Sequence, residues 1–285
     1  MSVISRSTKL LFCEGKPDSL DYAILARLVG NPNIIIPAGG KYGLGAFIQG
    51  RLSSYQSKKP SYLAFRDRDF DAEPPSKIEL IIPFSTKPVF FSHRACIESY
   101  LLDASLIHAY WIEMAQGPKW KHGESPGIGK ISAWIKGSAE NIKDYQTVRW
   151  ALAHLKPGER WPQVETSWTK GSGHLPHSLN LDDCKKEAKK LIKSFTDFVK
   201  GVNEDEFEKH LNAYQKKFQE TEFWEQKQYM VWFHGKDLKK AMQKKWPDSI
   251  SLKTFCSWAT ERLEFDNHHD LLELQEQIKK HDENS

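Results

Sequence analysis

The sequence predicts an α/β protein in which a mostly parallel sheet, with helices on both faces, is followed by a largely helical C-terminal region. Short apolar runs, such as residues 8–13 and 62–66, end abruptly in carboxylates, as buried strands at the edge of a loop do. Segments with helical spacing separate these runs, and such alternation favours a parallel sheet covered on both faces. Beyond about residue 103 the strand-like runs fade and helical spacing dominates.

The predicted elements follow one another along the first part of the chain. Residues 8–13 form the first strand, and Asp18 or Ser19 suits the N-cap of the helix that follows. Helical spacing then runs from Leu20 to Leu28, until a Gly-Asn-Pro sequence ends the helix. Further strands are predicted at residues 33–36, 62–66, 78–82 and 89–91. Further helices are predicted at residues 44–54 and from about residue 94.

The change of character at about residue 103 predicts two domains. We expect a catalytic domain over residues 1–103 and a mainly helical domain over residues 104–285. Amphipathic helices around residues 204–230 and 261–280 could pair two copies of the chain, so a homodimer is expected. The helical domain would then serve dimerisation and the binding of partner and substrate.

Composition limits the classes of protein that are possible. The 285 residues are 39% hydrophobic, enough for a real core, and carry a formal net charge of only +4. There is no apolar stretch of 18 residues and no signal-peptide pattern, so we expect a soluble, cytoplasmic protein with no membrane partner. The four cysteines are scattered without zinc spacing, and no basic tail indicates nucleic acid.

Carboxylates follow two of the predicted strands at the point where each ends. Glu14 follows the first strand, and Asp67 and Asp69 follow the strand at residues 62–66. Ligands of open α/β sheets bind beyond the carboxyl ends of the strands, so these three side chains are expected at one edge. Like charges at one point repel unless a cation joins them, and oxygen ligands suit Mg²⁺ or Mn²⁺.

These residues and three further motifs resemble a known group of nucleases. A Glu-Gly that closes one strand and an Asp-x-Asp that closes a later one resemble the Rossmann-like TOPRIM fold. Asp18 lies four residues after Glu14, as in OLD-type nucleases, and Ile36 to Lys41 and His93 to Leu102 are similar to one branch of that group. That branch includes the nuclease subunits of PARIS-type anti-phage systems. The resemblance covers about residues 8–103.

The resemblance implies a metal site with one or two ions. Glu14, Asp67 and Asp69 would hold one divalent ion, and Asp18 and Glu98 would hold a second. Glu98 also has a simpler interpretation, as a carboxylate that favours the first turn of a helix.

Basic residues near the same edge are candidates for contacts with nucleic-acid phosphates. They are Lys41, Arg66, Arg68, His93 and Arg94. For Arg66 and Arg68 an equal alternative is that they compensate the charge of the acidic cluster. The glycine-rich segment that contains Lys41 is either a phosphate-binding loop or a tight strand-to-helix turn, and it does not match a P-loop.

A separate candidate lies far downstream. In OLD-type nucleases a lysine beyond the TOPRIM strands returns to the metal site, and Gly235-Lys236 is the best-placed match, so residues 232–238 are expected at the acidic edge. Lys236 would stabilise the charge that develops on phosphate, and His234 would add a donor. Alternatively, Gly235 merely separates two helices and Lys236 is solvated.

The expected function is therefore a metal-dependent endonuclease with Glu14, Asp67, Asp69 and Lys236 as catalytic residues. The PARIS-type resemblance implies a toxic effector that cleaves tRNA and is controlled by an ABC-type ATPase. A DNA nuclease of the OLD type remains open, as does a catalytically silent TOPRIM module that only docks on an ATPase. The chain is too short for a topoisomerase, and no zinc module indicates a primase.

Overall fold

A four-stranded parallel sheet lies at the centre of the N-terminal part of the protein. The computed structural model describes residues 9–41, 43–55, 60–84, 87–155, 168–169 and 176–283, without the side chains of residues 281–283. The strands are β1 (Lys9–Cys13), β2 (Ile35–Pro37), β3 (Ser61–Arg66) and β4 (Val89–Phe91). Their order is β2-β1-β3-β4, and each neighbouring pair is parallel. The predicted α/β class with a parallel sheet is confirmed.

The register of the sheet brings the ends of its strands to one level. Cys13 at the end of β1 pairs with Phe65 of β3 and with Pro37 of β2. Arg66, the next residue of β3, pairs with Phe91 at the end of β4. The residues that follow these strands therefore emerge together at the carboxyl edge of the sheet.

Both faces of the sheet are buried. Two helices follow β1 and β2 along the chain, namely α1 (Leu20–Val29) and α2 (Leu44–Ser53). On one face, Leu44 and Ile48 of α2 pack with Leu10, Phe12 and Ala64. Because strand side chains alternate between faces, the intervening residues point the opposite way, and they too are buried. They are Leu11, Cys13, Leu63 and Phe65.

The remainder of the described chain is largely helical, as predicted. Its helices are α3 (Ile97–Leu101), α4 (Ala104–Ala115), α5 (Ile128–His154), α6 (Leu181–Val199), α7 (Glu204–Gln219), α8 (Thr221–Glu225), α9 (Tyr229–Trp232), α10 (Gly235–Lys245), α11 (Leu252–Thr260) and α12 (His269–Glu283). Within the described residues, none of the helices is both long enough and apolar enough to cross a membrane.

The C-terminal helices belong to the same unit as the sheet. One compact unit combines the described residues up to Gln146 with those from Phe218 onward, and a second consists of residues 147–217. The domain boundary expected at residue 103 lies inside the first unit. The reason is a set of long-range contacts: Gln275 of α12 donates to the Leu28 carbonyl (2.7 Å), and the Leu80 amide donates to Glu273 (2.6 Å).

Two local predictions for the first unit are wrong. Residues 78–82 do not form a strand of the parallel sheet, because only Ile81 makes an isolated antiparallel bridge, to Phe91, and its neighbours Ile78 and Ile82 are exposed. The helix expected from about residue 94 begins at Ile97. The preceding backbone instead bonds to distant segments, since the Ala95 amide donates to the Val231 carbonyl (3.1 Å).

Helix α12 should be essential to the stability of the sheet that it joins. Leu274 is fully buried, so Leu274→Ala should lower the free energy of unfolding by about 2–5 kcal/mol, through lost apolar burial and the cavity left behind. Chemical denaturation measures the change. Leu181→Ala, at an exposed leucine of α6, is the matched control and should change stability by less than about 0.5 kcal/mol. Equal effects of the two substitutions would show that α12 is only an appendage.

Candidate functional site

Asp67 directly follows β3 in the sequence and lies beside the first residue of α3 in space. Its Oδ1 atom accepts a hydrogen bond from the Ile97 amide (3.0 Å), which fixes the carboxylate at the start of the short helix. Only 3% of Asp67 is exposed. A carboxylate oxygen of Asp67, the Sγ of Cys96 and a carboxylate oxygen of Glu98 all lie within 4.8 Å of one another. The carboxyl edge of the sheet thus presents a buried group of potential metal ligands. From the sequence, Asp67 and Glu98 were expected to hold different ions, and Cys96 was not expected in the group.

Glu98 contributes a buried carboxylate to this group, and not all of the hydrogen-bonding capacity of that carboxylate is used. The residue is 6% exposed, and its Oε2 atom has no hydrogen-bond partner among the described residues. A buried carboxylate oxygen without a partner is costly, so an atom of this kind calls for a ligand. The nearby Cys96 does not add charge, because burial, followed by the repulsion of Glu98, raises the pKa of its thiol to about 12.

Asp69 is contacted by a lysine and a histidine from distant parts of the chain. Its Oδ1 atom lies 3.1 Å from Nε2 of His234, and its Oδ2 atom lies 2.9 Å from Nζ of Lys41. The backbone of Asp69 has a φ of 51°, in the left-handed region that aspartate tolerates better than most residues. Burial alone would raise the pKa of Asp69, but the His234 hydrogen bond and the Lys41 charge outweigh it and lower the pKa. Asp69 is therefore ionised.

Glu14 and Asp71 are both paired with Arg66. Nε of Arg66 lies 3.4 Å from Oε1 of Glu14, and the same guanidinium is paired with Asp71. Lys41 is also paired with Asp71. Asp71 thus holds both Lys41 and Arg66 at this edge of the sheet. Arg66 itself stacks on Phe91, with its Cζ atom 4.4 Å from the ring centre.

The segment at residues 232–238 returns to the acidic edge, as expected. Nζ of Lys236 lies 4.0 Å from Asp67 and 3.9 Å from Glu98, and Nζ of Lys239 lies 3.7 Å from Glu98. Gly235 makes this approach possible, because a Cβ atom there would lie 2.5 Å from the Ser99 amide nitrogen. Glycine at this position is therefore required by close backbone contact between α10 and α3, beyond any role in separating helices.

Asp21 is a carboxylate of the site that the sequence did not single out. Ser19 is the N-cap of α1, so Asp18 precedes the helix and is exposed, while Asp21 lies in its first turn. Burial is the main cause that raises the pKa of Asp21, and the charges of Lys236 and Glu98 also act on it. Asp21 is thus the aspartate near the start of α1 that interacts electrostatically with the cluster. Asp18 was expected because its spacing from Glu14 is similar to that in OLD-type nucleases, and that spacing gives no indication of Asp21.

Burial near the cluster also raises other acid pKa values. Burial, followed by repulsion from Asp69, raises the pKa of Glu14 from its ordinary value of 4.5 to about 7, although Arg66 and Lys41 oppose the shift. Burial, followed by the Asp21 charge, raises the pKa of Asp67 well above its ordinary value. The cluster therefore holds protons at neutral pH that additional positive charge would release.

Three of the basic residues expected to contact nucleic acid have structural contacts instead. Arg68 is fully buried, and its guanidinium donates to the backbone carbonyls of His93, Asp69, Ala72 and Val231. Such a group is out of reach of a phosphate, so Arg68 joins the end of β3 to the segment before α10.

His93 and Arg94 are held in a neighbouring buried network. The His93 amide donates to Asp270 (2.9 Å), which also accepts a hydrogen bond from the Tyr100 hydroxyl. Burial, followed by the charges of Arg68 and Arg94, lowers the pKa of His93 to about 4, so its ring is neutral at pH 7. Arg94 donates to the Ser99 carbonyl (2.6 Å). These contacts anchor α12 and α3, and they leave Lys41 and Arg66 as the expected basic residues that reach the acidic edge.

The residues present fit a hard divalent cation. Carboxylate oxygens dominate the group, and two of them, Oε2 of Glu98 and Oε1 of Glu14, are buried without a hydrogen-bond partner in the described part of the chain. Mg²⁺ and Mn²⁺ prefer such oxygen ligands. Asp67, Cys96 and Glu98 are the side chains whose ligand atoms lie close enough together to hold one ion. Glu14 lies at the same edge, and Asp69 and Asp21 act electrostatically on Asp67.

Comparison with known proteins assigns the chain to no family. No family model matches the chain, and no curated protein matches it.

Neutralising Glu14 should stabilise the metal-free protein in a pH-dependent way. Between pH 4.5 and about 7 the folded protein keeps a proton on Glu14 that the unfolded chain releases, so folding becomes less favourable as the pH rises. Glu14→Gln, which mimics the protonated acid, should therefore raise the free energy of unfolding above pH 7 by up to about 3 kcal/mol, at 1.36 kcal/mol per pKa unit.

Denaturation in the presence of a chelator, at pH values from 4 to 8, measures this gain. The gain should vanish below pH 4.5, where both states are protonated. Asp266→Asn, at an exposed aspartate away from the sheet edge, is the control and should show no such profile. A destabilised Glu14→Gln protein at pH 8 would mean that the Arg66 ion pair outweighs the burial of Glu14.

Proposed function

We propose that the protein is a metal-dependent endonuclease with a TOPRIM-like catalytic centre. The observation that carries the proposal is the buried carboxylate group at the ends of β1 and β3, with the ammonium of Lys236 about 4 Å from two of its members. Carboxylates whose pKa values are raised by burial and by neighbouring carboxylates are common at active sites. The Glu-Gly and Asp-x-Asp motifs and the parallel sheet support the TOPRIM assignment.

The chain supplies separate groups for binding an ion and for acting on a phosphate. Glu14, Asp67, Asp69 and Glu98 would hold one or two divalent ions. When bound, Mg²⁺ or Mn²⁺ would polarise the scissile phosphate and lower the pKa of the attacking water. Protons now held by Glu14 and Asp67 would leave as the ion binds, because each ligand must be deprotonated.

Lys236 is proposed to stabilise the negative charge that develops on the phosphate. Its side chain is 55% exposed, so the ammonium can follow a substrate oxygen while remaining beside Asp67 and Glu98. Burial lowers the pKa of Lys236, but the charges of Glu98 and Asp67 outweigh this and raise it, so the residue is a permanent cation and not a general base. An ammonium that interacts more strongly with the transition state than with the substrate accelerates the reaction.

The biological setting follows from the resemblance to PARIS-type effectors. On that basis we propose that tRNA is the substrate, that an ABC-type ATPase controls the nuclease, and that the nuclease acts as a homodimer in anti-phage defence. Exposed apolar residues on α6 of the second unit support a partner-binding role for that unit. They are Leu181, Ile192 and Phe198. Large exposed apolar side chains on one helix are typical of interaction surfaces.

Two alternatives remain within the same geometry. A DNA nuclease of the OLD type would use the same residues on a different nucleic acid. A catalytically silent module that docks on an ATPase is favoured by the cations Lys41, Arg66 and Lys236, which compensate the carboxylates even without a metal. The activity assay below separates these candidates.

The first test is cleavage. Purified protein should cleave tRNA when Mg²⁺ or Mn²⁺ is added and should not cleave it in excess chelator; single-stranded and duplex DNA are parallel substrates. Glu14→Gln should abolish cleavage because one metal ligand is lost, while its thermal unfolding shows that the fold is retained. Cleavage of DNA alone would establish the OLD-type alternative. Full activity of Glu14→Gln, or no cleavage of any substrate with either ion, would contradict the proposal.

The second test concerns Lys236. Lys236→Ala should lower kcat by about 10²-fold or more, with a smaller effect on KM, as loss of one preorganised donor does. Single-turnover cleavage of the preferred substrate measures the chemical step directly. Lys253→Ala, at an exposed lysine of α11, is the matched control and should leave kcat unchanged. If Lys236→Ala raised only KM, Lys236 would be a substrate-binding residue without a catalytic role.

A further inference from the structure

A basic groove lies between α5 and α10 in the first unit. It has a volume of about 580 Å³ and is open to solvent along one side. The residues of α5 that line it include Asn141, Ile142 and Tyr145. From this groove we infer a binding site for single-stranded nucleic acid that leads to the acidic cluster. The inference rests on the proposed nuclease function and names the surface that would hold the strand next to the scissile phosphate.

The lysines of α10 connect the groove with the cluster. Lys236 in the first turn of α10 lies beside Asp67 and Glu98, and Lys240 and Lys244 follow at intervals of four residues. Residues four apart lie on the same side of a helix, about 6 Å further along its axis. Lys240 and Lys244 line the groove. A row of ammonium groups therefore runs from the acidic cluster along the groove.

The described residues that line this groove carry more positive than negative charge. Lys240, Lys244 and Lys245 form no ion pair with a carboxylate of the described residues. The acidic lining residue, Asp237, accepts a hydrogen bond from Gln146 (2.8 Å). Three exposed lysines thus face one carboxylate. Such a groove attracts a polyanion, and the release of counterions from phosphates would favour binding.

Tyr145 indicates that the ligand has unstacked bases. The residue lies on the α5 side of the groove and is 56% exposed. Single-stranded sites combine a positive groove along the backbone with aromatic rings on which bases stack. In a duplex the bases are already stacked on one another, so a tyrosine on the wall of the groove would have little to contact. The expected ligand of the groove is therefore a single-stranded nucleic acid.

The experiment measures binding without cleavage. Fluorescence anisotropy with wild-type protein in excess chelator compares a labelled single-stranded RNA, the DNA of the same sequence and the corresponding duplex. The variants are Tyr145→Ala and the double variant Lys240→Ala/Lys244→Ala. Lys189→Ala/Lys193→Ala, at exposed lysines of α6, is the matched control of equal charge change. All these positions are on the surface of their helices, and thermal unfolding verifies each fold.

The expected result is specific to the single strand. Tyr145→Ala should weaken single-strand binding by about tenfold, as loss of one stacked base does. The double lysine variant should weaken it as well and should reduce the slope of log K against log salt by about 1.4, at 0.7 per phosphate contact. The control pair should change neither. Stronger binding of RNA than of DNA would mean that the groove recognises a 2′-hydroxyl group. Equal binding would mean that it recognises only the features that RNA and DNA share.

Two results would overturn the inference. The first is unchanged single-strand affinity in both groove variants. The second is equal or tighter binding of the duplex that depends on the lysines but not on Tyr145. A different result would contradict the proposed nuclease function. In that case the groove variants would lose binding as expected, but the wild-type protein would show no metal-dependent cleavage.

Discussion

Repulsion among buried carboxylates at the carboxyl edge of the sheet is the constraint on which the rest of the structure depends. Glu14, Asp67, Asp69 and Glu98 come from three segments, and charges of one sign destabilise a buried site unless cations or protons compensate them. The compensating groups are Lys41, Arg66, His234 and Lys236, and the last two lie more than 130 residues from Glu98 in sequence. The packing of α10 on α3 is therefore as necessary to this edge as the sheet itself.

The cations at this edge fall into two groups with different physical roles. Those of Lys41, Arg66 and Lys236 pair with carboxylates, and the side chain of Lys236 is the most exposed of the three. The guanidinium of Arg68 instead donates to backbone carbonyls in the interior, where it holds segments together. The type of acceptor distinguishes the two groups, and it cannot be recognised from the identity of the residue.

The sequence was sufficient to predict what depends on local patterns. Runs such as residues 62–66 predicted buried parallel strands, and the carboxyl-edge rule then brought Asp67 and Asp69 together. The apolar run at residues 78–82 was misleading because alternation and composition cannot show that a segment pairs with β4 at one residue only. The domain boundary failed for a related reason: contacts such as that between Gln275 and Leu28 join residues whose sequence separation no local pattern records. Asp21 was missed because the spacing of the resemblance indicated Asp18, which precedes α1 and is exposed.

The Arg68–Val231 contact has a consequence for biosynthesis. During translation the chain emerges from its N-terminus, so β1, β3 and every carboxylate of the cluster leave the ribosome long before α10. Until residue 231 has been made, Arg68 lacks one of its carbonyl acceptors, and Asp69 and Glu98 lack His234 and Lys236. A nascent or truncated chain that stops before residue 231 therefore contains all the carboxylates together with Lys41 and Arg66, but without His234 and Lys236. Completion of the site is thereby linked to synthesis of the segment that contains α10.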